Sequence, residues 1–393
     1  MLVPKTFFPL LLLWWLGCPA FGQKIIVPTA GPQYGDFAQM LDHIKKRSLF
    51  PDETITLPVL HQDGVLVNGR QYAGSNIGAK IRLAEKSLGL RPRVVQLRNP
   101  FGGGYPLAYS VIYQKCVVAL FEPGSFACFR LDGLTRDEQL ERQLNSRKFT
   151  NQWLIVGQLI GLSGGQHYAF DQASRTWRPY REPVPFGEAP KLFEDDRYLV
   201  YADCQGEFGG NAYFFDKKKH TTRRIDATCA AAVWQEQGQY RLLASLSHMM
   251  SRMSCAAIPN VEALPLASAS RNPQQEWQYT FANSVPNPAV VPVFNYHSLL
   301  AFGGFRWQGQ TLYYINWRNS TFLATITRGI ITVVDPLFNN GLYTHNPITT
   351  SYGPELVLTN LDFYGLGGKR EVAALVLQGR QLTKIAWGEQ PRD

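Results

Sequence analysis

Residues 153–177 align without a gap to residues 198–222, a spacing of 45, and more faintly to residues 298–322. In the first stretch Trp153-Leu154-Ile155-Val156 leads to Gly164-Gly165, then Tyr168-Ala169-Phe170-Asp171, then Thr176-Trp177. In the second, Leu199-Val200-Tyr201 leads to Gly209-Gly210, then Tyr213-Phe214-Phe215-Asp216, then Thr221. In the third, Leu299-Leu300-Ala301 leads to Tyr313-Tyr314-Ile315-Asn316, then Thr321-Phe322. A period of this length marks a repeat architecture whose units cannot bury their faces alone. It constrains the fold and leaves the task of the protein open.

The chain begins with Lys5, an apolar run from Phe7 to Leu16, and Ala20-Phe21-Gly22. This is the pattern of a secretory leader cleaved after Gly22. The run is too short to span a bilayer. Leu16-Gly17-Cys18 offers an alternative, a bacterial lipoprotein box that would anchor the protein to an outer membrane through Cys18. The expected divisions are therefore a leader over 1–22, a segment over 23–54 with a short helix, and a β-domain over 55–393. The helix starts at Asp36, with Gln39 completing a capping box and Lys45-Lys46-Arg47 at its negative end.

From about residue 55 onward, short runs of Val, Ile, Leu, Tyr and Phe alternate with Gly, Pro, Asn and Asp, the rhythm of strands and turns. Four hairpins are expected: 116–121 with 126–131, 190–193 with 198–202, 229–234 with 240–245, and 289–294 with 298–302. Glu122-Pro123-Gly124-Ser125 reads as a type II turn in the first. A second helix over Thr135–Leu144, capped by Thr135 and Glu138, competes with a strand expected before Trp153.

The unit resembles the kelch-type β-propeller repeat. Leu299-Leu300-Ala301-Phe302-Gly303-Gly304 resembles its first half, and Phe170-Asp171 followed by Thr176-Trp177 its second. The resemblance implies an all-β propeller of six or seven four-stranded blades beside the short N-terminal helix. Seven applies if residues 55–100 form a blade, and N-terminal strands are expected to close the ring. Blade anchors fall at Asp132, Asp171, Asp216, Asn260, Asn316 and Gln378. Glycines let strands approach near the axis, and the aromatics fill the wedges between blades.

Propellers bind ligands where the loops between second and third strands surround the channel. Those loops are expected at 158–167, 203–211 and 305–311, with Asp203, Glu207, Phe208, Arg306 and Trp307 as ligand-binding residues. Two carboxylates beside aromatics also suit a carbohydrate-active enzyme, a glycoside hydrolase or lyase, which is the alternative reading. No catalytic residue stands out, so non-enzymatic binding of a protein or glycan is the expectation, with no cofactor.

The chain holds 39 Lys and Arg against 30 Asp and Glu, a net charge of +9, which Lys5 lowers by one if the leader is removed. A basic exported protein favours anionic partners such as an acidic glycan at the cell surface, with nucleic acid excluded by export and no transmembrane helix expected. Lys217-Lys218-Lys219-His220, Arg223-Arg224, Arg175, Arg178 and Arg181 sit at hairpins where charge also blocks edge-to-edge pairing. His248-Met249-Met250, Met253 and Cys255 group soft ligands suited to Cu(I), but strand alternation would divide them between two faces. No metal is therefore assigned. Five cysteines follow the leader, and Cys204 with Cys229 are expected to form a disulfide at neighbouring blade ends. Cys116 and Cys128 fall out of register, Cys116 opposite Leu131 and Cys128 opposite Ala119.

Overall fold

The computed structural model describes residues 60–61, 64–69 and 77–388, apart from 85, 103, 186, 248–250, 268–286, 298, 318–319, 339–345 and 365–369. The leader, Cys18, the Asp36 helix and His248–Met250 lie outside the described residues. The described chain is all-β with a propeller arrangement, built from successive antiparallel meanders.

Four strands precede the meanders: β1 (Leu60–His61), β2 (Gly64–Gly69), β3 (Ile77–Leu83) and β4 (Arg91–Arg98). The first meander has three strands, β5 (Val111–Tyr113), β6 (Cys116–Phe121) and β7 (Ser125–Arg130). Helix α1 (Glu138–Leu144) follows it and packs Leu140 and Leu144 against β7 side chains, in the place of an outer strand. The second meander is β8 (Asn151–Ile155), β9 (Gln158–Ser163), β10 (Gln166–Asp171) and β11 (Thr176–Pro179). The third is β12 (Lys191–Glu194), β13 (Tyr198–Ala202), β14 (Asn211–Asp216) and β15 (Thr221–Asp226). The fourth is β16 (Ala230–Glu236), β17 (Gln239–Leu246), β18 (Arg252–Ile258) and β19 (Val291–His297). The fifth is β20 (Leu300–Trp307), β21 (Gln310–Trp317), β22 (Ser320–Thr327) and β23 (Ile330–Phe338). The sixth is β24 (Ile348–Ser351), β25 (Leu356–Tyr364), β26 (Arg370–Gln378) and β27 (Gln381–Gly388).

Each meander packs on both faces, so inner strands such as Cys116–Phe121 and Tyr198–Ala202 are buried end to end rather than alternately. Six apolar clusters fill the wedges. Phe126, Phe149 and Phe170 join the first meander to the second. Trp153, Ile160 and Leu199 join the second to the third, and Phe214 and Leu242 the third to the fourth. Trp234 and Tyr313 join the fourth to the fifth, and Phe305 and Leu375 the fifth to the sixth. The sixth returns to the first through Trp387, whose ring centroid lies 5.5 Å from that of Phe121 and 5.7 Å from that of Phe129. The packing therefore closes on itself.

Hydrogen bonding gives five sheets, not six or seven separate four-stranded ones. Three parallel pairings cause the merger and extension. β16 bridges β24 through Ala232 and Thr349, and β3 extends the fifth meander through β23. Residues 60–98 make no blade of their own, because β1–β3 join the fifth meander and β4 runs parallel to β27 in the sixth.

Several sequence expectations change. The 45-residue repeat holds for the third and fourth strands of the second and third meanders but slips on the inner ones. It aligns β8, a first strand, with β13, a second strand, because Gly164-Gly165 is a tight turn where 203–210 is a long loop. The third copy is displaced by a strand as well, with Tyr313–Asn316 on a second strand. The kelch pattern is thus not kept in strand register. The hairpin expected at 289–302 is absent, since β19 pairs with β18 and β20 with β21. That segment is instead the passage from an outer strand to the next inner one. The first hairpin closes over Glu122–Gly124 with Phe121 opposite Ser125, which shifts the register by one. Cys116 faces Arg130 and Cys128 faces Val118, and the two thiols are unbonded. Helix α1 begins at Glu138 and is capped by Asp137, whose Oδ1 accepts from Leu140 N at 3.0 Å, leaving room for a strand at Asn151.

Gly303 and Gly304 lie mid-strand on β20, where the inner strands crowd. A Cβ on Gly303 would overlap Thr349 Oγ1 and stand 3.1 Å from Thr349 Cβ, and one on Gly304 would stand 2.8 Å from the Trp234 ring. Gly303→Val should therefore destabilise the protein by about 1–3 kcal/mol, the usual range for overpacking. Urea unfolding measures it, and an unchanged midpoint would mean the inner strands do not meet there.

Candidate functional site

In each meander the first strand starts at the same end of the assembly, here the upper face. The loop between second and third strands returns to that face, and the turn between first and second strands lies on the lower one. This topology separates the five residues singled out from the sequence. Asp203, Glu207 and Phe208 lie on the 203–210 loop at the upper face. Arg306 and Trp307 end the first strand β20 at the lower face, beside the two-residue turn Gln308-Gly309. Both turn residues have positive φ, 45° and 84°, as a type I′ hairpin requires. Gln-Gly between apolar runs is the sequence signal of a two-residue hairpin turn.

Their chemistry differs too. Trp307 is 3% exposed and packs in the wedge with Phe305. Arg306 Nη1 pairs with Glu236 Oε1 at 2.7 Å, and Thr311 Oγ1 donates to the same oxygen at 2.6 Å. Asp203 is spent on its own loop: Oδ1 accepts from Asn211 N at 2.6 Å and Oδ2 from Tyr213 OH at 2.9 Å. Glu207 sits in a 3-10 turn over Gly206–Phe208, and Phe208 is 43% exposed. A disulfide between Cys204 and Cys229, with Cα atoms 4.4 Å apart, ties this loop to the start of β16.

The upper face also opens into a cavity of about 280 Å³ that the sequence did not disclose. It is bounded by the starts of β5, β8, β12 and β24, with Asn360, Leu361, Val372 and Trp387 of the sixth meander behind. Because β24 bridges β16, the open axial space lies on the side of the first three meanders. Ala202 N donates to Pro190 O, and Pro190 lines the cavity, so the 203–210 loop begins at its edge. Leu107, 45% exposed, stands at the lining.

Two buried amides organise this space. Asn360, 7% exposed, accepts from Ser110 N through Oδ1 at 2.9 Å and donates to Ser110 O through Nδ2 at 3.0 Å. Gln152, 2% exposed, donates through Nε2 to Tyr109 O at 3.1 Å and Val118 O at 3.0 Å. Two carbonyl acceptors fix which end of the amide is nitrogen. Gln152 Oε1 is then left buried with no partner among the described residues.

Lys191 also lines the cavity, and its Nζ lies 2.9 Å from Glu194 Oε2. Glu194 Oε2 accepts from Val156 N at 3.0 Å, and Oε1 faces Lys217 Nζ at 3.2 Å. Burial pushes the Glu194 pKa up, but Lys191, the Val156 N–H and Lys217 outweigh it and hold the carboxyl below its ordinary value. The remaining basic hairpins are also partly neutralised: Lys219 meets Glu262 at 2.8 Å and Arg178 meets Asp171 at 2.9 Å. Met253 and Cys255 are buried among Leu243, Phe294 and Tyr296 and fill that wedge. Among the described residues, no group of three or more His, Cys, Asp or Glu is placed to hold a metal, and no helix is long and apolar enough to cross a membrane.

No family profile and no curated protein matches the chain. Solved structures that align with it include the N-terminal domain of Nup159, at 11% identity over 80% of this chain and 87% of that one, TM-score 0.33. The β-propeller domain of the Trilobed protease from Pyrococcus furiosus aligns at 10% identity over 72% and 96%, TM-score 0.32. BamB from Moraxella catarrhalis aligns at 10% identity over 77% and 80%, TM-score 0.31. Superpositions this loose carry no weight, and the fold rests on the strand pairing and the closed circuit of wedges.

The buried ion pair yields a prediction with a definite sign. A carboxyl with a depressed folded pKa contributes stability that is present above its unfolded pKa and lost as pH falls through the folded value. Stability should therefore decline as pH drops below about 4.5, the ordinary glutamate value. Glu194→Gln leaves Lys191 buried without its partner and should cost about 3 kcal/mol at neutral pH, with a shallower decline on acidification. Denaturant unfolding from pH 7 to pH 3 checks it, and parallel curves for the two proteins would refute the assignment.

Proposed function

We propose that this is an exported, non-enzymatic β-propeller that binds a protein or glycan ligand at its upper face. Counting each meander as a blade gives six, with α1 in the place of the missing outer strand. The observation that carries the reading is the cavity among the inner strands, open beside the disulfide-tied loop that presents Glu207 and Phe208. A pocket with an apolar rim and a few convergent polar groups is the usual form of a ligand site.

The carboxylates argue against the carbohydrate-active enzyme. A glycosidase flanks the scissile bond with two acids. Glu188 is the acid among the cavity residues, and nearby Asp203 is tied to Asn211 and Tyr213. Export is supported by the leader pattern over 1–22 and by the Cys204–Cys229 bond, which persists in oxidising compartments. Secretion or the periplasm is the proposed destination, with lipid attachment through Cys18 as the variant of the same reading.

A glycan array and a panel of purified cell-surface proteins test the face. The triple variant Leu107→Ser, Glu207→Ala, Phe208→Ala should lose at least tenfold in affinity for whatever binds, and Arg306→Ala on the lower face should lose none. The reverse pattern would move the site to the lower face. Release of new reducing ends from a bound oligosaccharide would overturn the non-enzymatic reading.

A further inference from the structure

The polar groups of the cavity wall are unevenly matched. Asn360 uses both ends of its amide on Ser110, and the buried Gln152 uses its N–H groups on backbone carbonyls, with its Oε1 sealed from solvent. Three donors are left over. Lys191 Nζ carries three N–H groups, and Glu194 Oε2 at 2.9 Å is the one acceptor it meets among the described residues. Glu194 is itself divided, since its other oxygen faces Lys217 at 3.2 Å. Thr350 Oγ1 and Trp387 Nε1 have no partner among the described residues, and neither atom is sealed as Trp234 Nε1 is.

The fold brings two of these donors to one stretch of wall. Ile348 and Thr350 share a face of β24, and both line the cavity. Thr349 between them turns the other way, to Phe302 O and Thr359. The bridge that draws β24 across the axis also brings it beside β12, where Leu192 and Ile348 join one apolar cluster next to Lys191. An ammonium and a hydroxyl with unmet protons call for an acceptor, and an anionic one bonds them most strongly. The remaining wall is apolar, with Ile348, Leu361 and Val372 inside and Leu107 at the rim. A sugar acid would bring a ring of hydroxyls that need acceptors, and the Glu188 side chain is the one carboxylate at the lining. A peptide terminus brings a carboxylate on an apolar residue instead, and a cavity of about 280 Å³ has room for it.

We infer that the upper-face cavity captures the free C-terminus of a protein partner, its carboxylate accepting from Lys191 Nζ and Thr350 Oγ1 and its apolar last side chain lying against Ile348 and Leu361. Trp387 Nε1 is a third donor at the same cavity, and the exposed Leu107 and Phe208 meet the residues that precede the terminus. This rests on the reading of the upper face as the binding face and chooses its protein ligand over its glycan.

Fluorescence anisotropy with labelled hexapeptide pools ending in valine, leucine or phenylalanine tests it, each pool made as the free acid and as the C-terminal amide. The acids should bind about tenfold tighter than the amides, the scale of a hydrogen bond to a charged group. Lys191→Met should bring acid and amide together. Thr350→Val, which keeps the shape of the side chain and removes its O–H, should weaken the acids and leave the amides unchanged, and serves if Lys191→Met does not fold. Equal affinity of acid and amide, no binding of either, unchanged affinity of the acids in the folded variants, or tighter binding of trigalacturonate than of any acid pool would overturn the inference. If the peptides fail while another ligand is still lost in the upper-face triple variant, this inference falls and the broader reading stands.

Discussion

Closure of the circuit between the last meander and the first is the constraint on which the rest depends. A blade buries its two faces only against neighbours, so an open row would leave a wedge of apolar side chains in water at each end. Here Trp387 fills the final wedge between Phe121 and Phe129. Asn360 adds a polar counterpart, pairing both its amide ends with the backbone of Ser110 across 250 residues of sequence. Apolar packing supplies the energy and the amide fixes the register, since a slip of one residue would leave buried polar groups unmatched.

The same closure shapes the site. Tyr109 and Ser110 are held from one side by Gln152 and from the other by Asn360, so the segment that enters β5 becomes a wall of the cavity. On the far side, the bridge from Ala232 to Thr349 draws β24 across the axis, and Gly303 makes that approach sterically possible. The open space is thus a consequence of asymmetric crowding: strands meet on one side of the axis and part on the other. Lys191, paired with Glu194, lines the parted side.

Much of this was legible in the chain, and the failures have identifiable causes. Asp171 and Asp216 marked the ends of third strands because each carboxylate accepts backbone N–H groups of the next turn, a local interaction that sequence displays. Cys204 and Cys229 could be paired because both stand beside connections on one face. The inner strands were misaligned because an ungapped comparison conserves total length, whereas a two-residue turn at Gly164-Gly165 and the loop at 203–210 redistribute it between strands. Arg306 and Trp307 went to the wrong face for the same reason. Gln152 and Asn360 were invisible, since nothing local distinguishes an amide that pairs with backbone 43 or 250 residues away from one in water.

Hydrogen exchange on Trp387→Ala, compared with the parent chain, tests closure most directly. If the sixth meander completes the circuit, protection should fall in β6 and β7 as well as in β26 and β27, although these segments are remote in sequence. A loss confined to β26 and β27, with β6 and β7 as protected as before, would contradict a closed ring.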